Sequence, residues 1–178
     1  MGGGPLNIPN VITALRFVLV PIFGYYLFTQ QFIIAGILFI VGGITDVLDG
    51  YIARRFNMIT SWGKLADPLA DKLMQITALI ILTYLNRIPI SILIVVTAKE
   101  SFMALGSISL YAKEKHIVSA NWYGKLATVV FYFAVIGVIL IGLEEPYSGL
   151  VVGIAVLPTL FAFFMYSLAY NKIKKDYQ

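Results

Sequence analysis

The sequence predicts an all-α integral membrane protein of six transmembrane helices, and three observations carry that prediction. Sixty per cent of the 178 residues are hydrophobic and only 12% are charged, whereas soluble domains are about half apolar and about a quarter charged. Mean hydropathy is +0.88. The apolar residues also fall into six runs, each close to the ~20 residues a helix needs to cross the hydrocarbon core.

In chain order the predicted spans are Ile8–Phe28, Phe32–Phe56, Asp67–Leu85, Pro89–Lys113, Trp122–Leu143 and Ser148–Tyr170. The first follows Met1-Gly2-Gly3-Gly4-Pro5, read as a vector-derived scar or disordered lead-in; no basic residue precedes the run, so a cleavable signal peptide is not expected. Thr29-Gln30-Gln31 separates spans one and two, and Asn57 to Lys64 separates two and three. Asn86-Arg87-Ile88, Glu114 to Asn121 and Glu144-Glu145-Pro146 complete the connections. Loops this short leave no room for a second domain, so residues 1–178 form one membrane domain. Pro21 and Pro158 lie inside spans and predict kinks.

Charge sets the orientation. Arg54, Arg55 and Lys64 follow span two, Lys113, Lys115 and Lys125 surround the loop after span four, and Lys172, Lys174 and Lys175 lie in the tail. The alternate loops hold only Arg87, beside Glu144 and Glu145. Basic residues gather on the cytoplasmic side of membranes, so both termini and the loop after span two are expected to face the cytoplasm of a cell membrane. The formal charge of +4 fits lysines and arginines beside anionic headgroups. It forms no basic stripe of the kind nucleic acid requires. The absence of cysteine excludes disulfide scaffolds, thiolate metal cages and cysteine nucleophiles. Trp62 and Trp122 suit interfacial belts, and the lone His116 falls in a charged loop and reads as solvated surface.

The chemistry is concentrated between spans two and three. The sequence there runs Asp46-Val-Leu-Asp49-Gly50-Tyr-Ile-Ala53-Arg54, then eight residues, then Gly63-Lys-Leu-Ala-Asp67-Pro-Leu-Ala-Asp71. Spacings of three and four put each aspartate pair on one helix face. A short loop makes the two helices antiparallel neighbours, so the four carboxylates can converge at the cytoplasmic end. Four carboxylates in an apolar setting cannot all stay ionised unless their charge is cancelled. Protonation can do this, as in proton relays, and so can hard divalent ions on oxygen ligands. Two such ions would clamp a pyrophosphate. Gly50 and Gly63 remove side chains where a substrate would approach backbone, Ala53 is small, and Arg54 offers a donor fork to phosphate.

The run from Asp46 to Asp71 resembles, at every defined position, the D-x-x-D-G-x-x-A-R, eight residues, G-x-x-x-D-x-x-x-D motif of the CDP-alcohol phosphatidyltransferases. The resemblance implies a homodimer of six-helix protomers with a polar cavity open to the cytoplasm. It implies that Asp46, Asp49 and Asp67 ligate two divalent cations, Mg2+ or Mn2+, with Asp71 completing the site and acting as general base. Gly50, Ala53, Arg54 and Gly63, with Asp49 and Asp67, would line the CDP pocket. The implied reaction moves a phosphatidyl group from CDP-diacylglycerol to an alcohol and releases CMP.

The acceptor is read from elsewhere. Leu6-Asn7-Ile8-Pro9-Asn10-Val11-Ile12-Thr13-Ala14-Leu15-Arg16 resembles the opening of bacterial phosphatidylglycerophosphate synthases, which implies glycerol 3-phosphate. Asn10, Thr13 and Arg16 recur at three-residue steps and form a polar face of span one; the alternative is that Asn10 and Thr13 only cap and pack the helix. Arg16, a charge inside a span, demands a partner. Lys99 and Lys125 are further candidates for a phosphorylated acceptor, against an internal ion pair of Lys99 with an aspartate or Glu100 and a headgroup position for Lys125. Those synthases typically carry Ala-Arg-Glu where this chain has Ala98-Lys99-Glu100, a departure that keeps the charge and loses the bidentate fork. It leaves room for phosphatidylglycerol (as in cardiolipin synthases) or inositol phosphate as acceptor. Two other classes stand beside the enzyme: an ion or proton transporter using the carboxylates as its path, and a non-catalytic scaffold.

Overall fold

The computed structural model describes residues 8–56, 58, 60–114 and 122–176, with the side chains of 8, 54, 61, 62, 64, 65, 106–114 and 169–176 outside that description. Its order is α1 (Ile8–Phe28), α2 (Phe32–Arg55), α3 (Ser61–Tyr84), α4 (Ile90–Glu114), α5 (Trp122–Ile141) and α6 (Tyr147–Asp176). Each predicted span corresponds to one helix. Two boundaries move most: α6 runs on to Asp176 rather than Tyr170, and α3 begins at Ser61 rather than Asp67. Thr60 sets the early start of α3: extended at φ −112°, ψ 156°, its hydroxyl accepts from the Gly63 N–H. Such a cap satisfies one of the orphan donors of the first turn. The aspartate pair of α3 therefore sits on an established helix, past its first turn.

Among the described residues four helices are long and apolar enough to cross a membrane: Pro9–Phe28, Phe32–Ala53, Trp122–Ile141 and Tyr147–Leu168. Helices α3 and α4, at 24 and 25 residues, have the length, but both carry charged residues along their course. Large apolar side chains such as Ile33, Phe133 and Leu157 are exposed along the helices, as suits a molecule whose solvent is lipid.

The chain divides into two units. The first holds α1, α2 and α3 with Ile139–Gly142. Here Arg16 meets Asp46 and Asp49 while Phe23 meets Phe39 at 5.3 Å, so α1 and α2 run antiparallel. Thr13 reaches Asp67 at one end and Phe28 stacks on Tyr84 at the other, so α1 and α3 run parallel. The turn after α1 is closed by Gln31 N–H to Tyr26 O and Gln30 N–H to Leu27 O, at 2.9 and 3.0 Å, with Gln30 left-handed at φ 59°. This is the helix-ending geometry usually assigned to glycine.

The interior stripes of α1 and α2 change between polar and apolar from one end to the other, and that of α3 goes from small apolar residues at its start to larger ones further on. On α1 the stripe runs Asn10, Thr13, Arg16, then Phe23 and Leu27; on α2 it runs Ala35, Phe39 and then Asp49; on α3, Ala66 and Ala70 lead to Met74, Ala78 and Leu82. Close approach at the apolar end depends on small residues. A Cβ on Gly36 would lie 2.3 Å from Leu140 Cδ2, and one on Gly42 would lie 2.6 Å from Met74 Cε.

The second unit holds α4, α6 and α5 up to Val138. Ile88 is buried just before α4, Ile92 and Val96 line α4, Ala127, Phe131 and Val135 line α5, and Val152, Ala155 and Val156 line α6. Tyr123 meets Phe161 edge-on at 6.1 Å. Before α4, Arg87 donates to the Leu143 carbonyl at 3.2 Å and pairs with Glu144 at 3.3 Å, while Ser148 donates to the Arg87 carbonyl.

Candidate active site

The polar end of the first unit is built from the start of α1, the end of α2 and the start of α3. Arg16 forks across α2: Nη1 donates to Asp46 Oδ1 at 2.6 Å and Nη2 to Asp49 Oδ2 at 2.5 Å. The guanidinium is 1% exposed, so its charge is answered by these carboxylates and not by water. Thr13, one turn earlier, lies within reach of the Pro9 carbonyl at 3.0 Å and Asp49 Oδ2 at 3.3 Å, and donates to Asp67 Oδ1. A hydroxyl has one proton to donate, so these three acceptors compete for it. One turn further back, Asn10 Oδ1 accepts from Thr60 at 2.9 Å.

All four motif aspartates are gathered here. Asp71, Asp49 and Asp67 each lie within electrostatic reach of Asp46. Asp71 accepts from Gln75 Nε2 at 2.9 Å, and Lys72 Nζ stands 3.7 Å from the same oxygen. Among the described residues no three acidic or imidazole groups close on one point as a ready metal cage. Arg16 stands between Asp46 and Asp49, with one nitrogen on each.

The donor set nonetheless fits a divalent cation. Every available ligand is an oxygen, which suits hard ions. Asp49 Oδ1 is buried without a hydrogen-bond partner, and a buried carboxylate oxygen left so is costly unless a cation or donor meets it.

Gly63 is buried, and the reason is close packing. A Cβ there would lie 3.0 Å from Asn10 Oδ1 and 3.1 Å from Thr60 Oγ1. Gly50 and Ala53 lie half-buried on the last turns of α2. The side chains of Arg54 and Trp62 fall outside those described, as do those of Lys113, Lys172, Lys174 and Lys175, and Lys115 and His116 lie outside the described residues. Asn10, Thr13 and Arg16, expected on the acceptor, direct their polar atoms at the motif aspartates and at Thr60. Lys99 and Lys125 belong to the second unit. Lys99 pairs with Glu100 at 2.6 Å, and Lys125 is exposed at the start of α5.

Two contributors escaped the sequence reading. Gln75 stands four residues after Asp71 on the same helix, a spacing that places side chains together. Thr60 stands three before Gly63, the usual cap distance.

Compared with known proteins, the chain matches the family described as CDP-alcohol phosphatidyltransferase over residues 6–166. It is 34% identical to the CDP-diacylglycerol–glycerol-3-phosphate 3-phosphatidyltransferase of Bacillus subtilis, over 86% of this chain and 90% of that protein. It is 33% identical to a protein of the same name from Haemophilus influenzae, over 75% of each. A probable phosphatidylglycerophosphate synthase of Mycobacterium tuberculosis is also 33% identical, over 79% of this chain and 68% of its own length.

Proposed function

This chain belongs to the CDP-alcohol phosphatidyltransferase family, and from that premise we propose that it transfers the phosphatidyl group of CDP-diacylglycerol to glycerol 3-phosphate, giving phosphatidylglycerophosphate and CMP. It is a multi-pass membrane phosphatidyltransferase. The observation that carries the reading of the site is that Arg16 and Thr13 tie Asp46, Asp49 and Asp67 together, with Asp71 one turn along α3 from Asp67, beside a buried carboxylate oxygen without a hydrogen-bond partner. Support for the acceptor comes from the names of the relatives in Bacillus and Haemophilus.

Asp46, Asp49, Asp67 and Asp71 would hold two divalent cations, Mg2+ or Mn2+. When bound, such ions neutralise a pyrophosphate and stabilise a departing phosphate oxygen. Gly50, Ala53, Arg54 and Gly63 flank the CDP moiety beside Asp49 and Asp67. Asp71, held by Gln75, takes the proton of the acceptor hydroxyl. The alkoxide oxygen then bonds to the lipid-side phosphorus as the bond to CMP breaks. Thr13 orients Asp49 and Asp67, Asn10 holds Thr60 at the start of α3, and Arg16 bridges Asp46 and Asp49. Lys99 and Lys125 are assigned to the acceptor's phosphate on the ground of charge alone. Six spans, cytoplasmic termini, an active site facing the cytoplasm and a homodimer complete the proposal.

The test is CMP release by purified protein in mixed micelles with CDP-diacylglycerol and Mn2+ or Mg2+. Glycerol 3-phosphate, phosphatidylglycerol and inositol phosphate are offered in turn. Turnover with glycerol 3-phosphate, lost on chelation and in Asp71→Asn, is expected. Turnover with a different alcohol alone would keep the chemistry and overturn the acceptor.

A further inference from the structure

We propose that Arg16 is a built-in counter-cation for the metal-free enzyme, which holds Asp46 and Asp49 together and opposes divalent cations for the same carboxylates. The inference rests on the reading that these aspartates bind metal, and it assigns Arg16 a role opposite in sign to that of a simple scaffold.

The geometry points this way in three respects. First, the guanidinium does not grip one carboxylate with two parallel bonds, the usual mode of an arginine pair. It divides Nη1 and Nη2 between Asp46 and Asp49, at 2.6 and 2.5 Å, and so bridges the two groups that most need to be kept from repelling each other. Second, the arrangement is left incomplete: Arg16 Nε and Asp49 Oδ1 are both buried without a hydrogen-bond partner. A purely structural ion pair would be expected to satisfy them. Third, Arg16 is 1% exposed, so water cannot take over its role.

These facts have opposite consequences for the two states. Without metal, removing Arg16 takes away the cation that bridges Asp46 and Asp49, and the protein loses stability. With metal, the guanidinium is a positive charge bonded to a carboxylate that the ion also needs. Removing it then relieves repulsion and frees an oxygen. A scaffold arginine would behave otherwise, because losing it would disorder the ligands and weaken metal binding.

The experiment measures Mn2+ binding to purified protein in detergent, from the paramagnetic resonance of free Mn2+, and thermal unfolding in EDTA. Wild type, Arg16→Gln, Arg16→Lys and Asp67→Asn are compared. In Arg16→Gln we expect Mn2+ to bind at least about tenfold more tightly, a lower bound for removing a unit charge beside a divalent ion at an effective dielectric of about 20. The same variant should unfold earlier than wild type in EDTA and recover most of the difference at saturating Mn2+. Arg16→Lys keeps the charge, so its affinity should stay within about threefold of wild type. Equal or weaker Mn2+ binding by Arg16→Gln overturns the proposal. Should Arg16→Gln not fold, Asp46→Asn is compared with the double variant Asp46→Asn/Arg16→Gln, which carries one carboxylate fewer than Arg16→Gln alone and so less uncompensated negative charge. Tighter Mn2+ in the double variant supports the counter-cation, and no change overturns it. Failure of the underlying metal reading looks different: wild type would then bind Mn2+ no better than Asp67→Asn.

Discussion

Replacing Gln75 with leucine tests how the proposed base is held. Gln75 is 4% exposed and gives its amide proton to Asp71 Oδ2 at 2.9 Å from the next turn of α3. Leucine has a similar volume and at least equal helix propensity, so the helix is preserved and the hydrogen bond is lost. A hydrogen bond to a charged group contributes about 1.5–3 kcal/mol. If Gln75 orients Asp71 toward the acceptor hydroxyl, that loss falls on the transition state and lowers kcat roughly 10- to 100-fold, with little change in the KM for CDP-diacylglycerol. The assay is the initial rate of CMP release at saturating CDP-diacylglycerol with the acceptor varied. Gln75→Asn, too short to reach, should fall with leucine. A kcat within about twofold of wild type, with a lowered unfolding temperature, would refute the reasoning and leave Gln75 as packing.

Other predictions follow from packing and charge. Gly36→Ala should destabilise by about 1–3 kcal/mol, because the new Cβ meets both Cδ2 and Cγ of Leu140, at 2.3 and 2.8 Å. Gly42→Ala should cost less, since its nearest neighbour is the mobile end of Met74; thermal unfolding in detergent ranks the two. Gln30→Gly should stabilise by about 0.5–1 kcal/mol, by relieving a left-handed backbone at φ 59°, and an unchanged or lower midpoint would contradict this. Lys99→Met should raise the KM for glycerol 3-phosphate several-fold while leaving that for CDP-diacylglycerol alone. An unchanged acceptor KM would leave Lys99 as the partner of Glu100.

Much of this architecture was legible in the sequence, because a bilayer imposes length and apolarity directly. The six runs mark the six helices, and the aspartate spacings of three and four put the carboxylates on shared faces. Arg16 was also readable in part: a charge inside a span implies a partner, and the structure supplies Asp46 and Asp49. Which partner it takes depends on how α1 lies against α2, and no spacing within one helix encodes that. The start of α3 was misread for a related reason. Hydropathy finds where the apolar stretch begins, whereas the helix begins where Thr60 satisfies an orphan N–H, several residues earlier and in polar sequence. Gln75 was passed over because a glutamine after an aspartate has no signature of its own until both are seen on one buried face.

The stripes that change from ionic to apolar along α1 and α2 imply that stability and the proposed catalysis are drawn from opposite ends of one unit. The apolar end, with Phe23 against Phe39 and Phe28 on Tyr84, stabilises the bundle by burial. The ionic end gathers four carboxylates, of which Asp46 and Asp49 meet the buried Arg16, an arrangement that opposes folding in the absence of metal. Active sites commonly reduce stability in this way. Asp67 is the cleanest place to measure it, because asparagine keeps the oxygen that accepts from Thr13 and removes only the charge. In EDTA, Asp67→Asn should unfold later than wild type, by about 0.5–2 kcal/mol, while its turnover disappears. Saturating Mn2+ should reverse the order, since wild type gains binding energy that the variant cannot. Were Asp67→Asn less stable than wild type in chelator, the carboxylate would be serving the fold, and the division between the two ends would not hold.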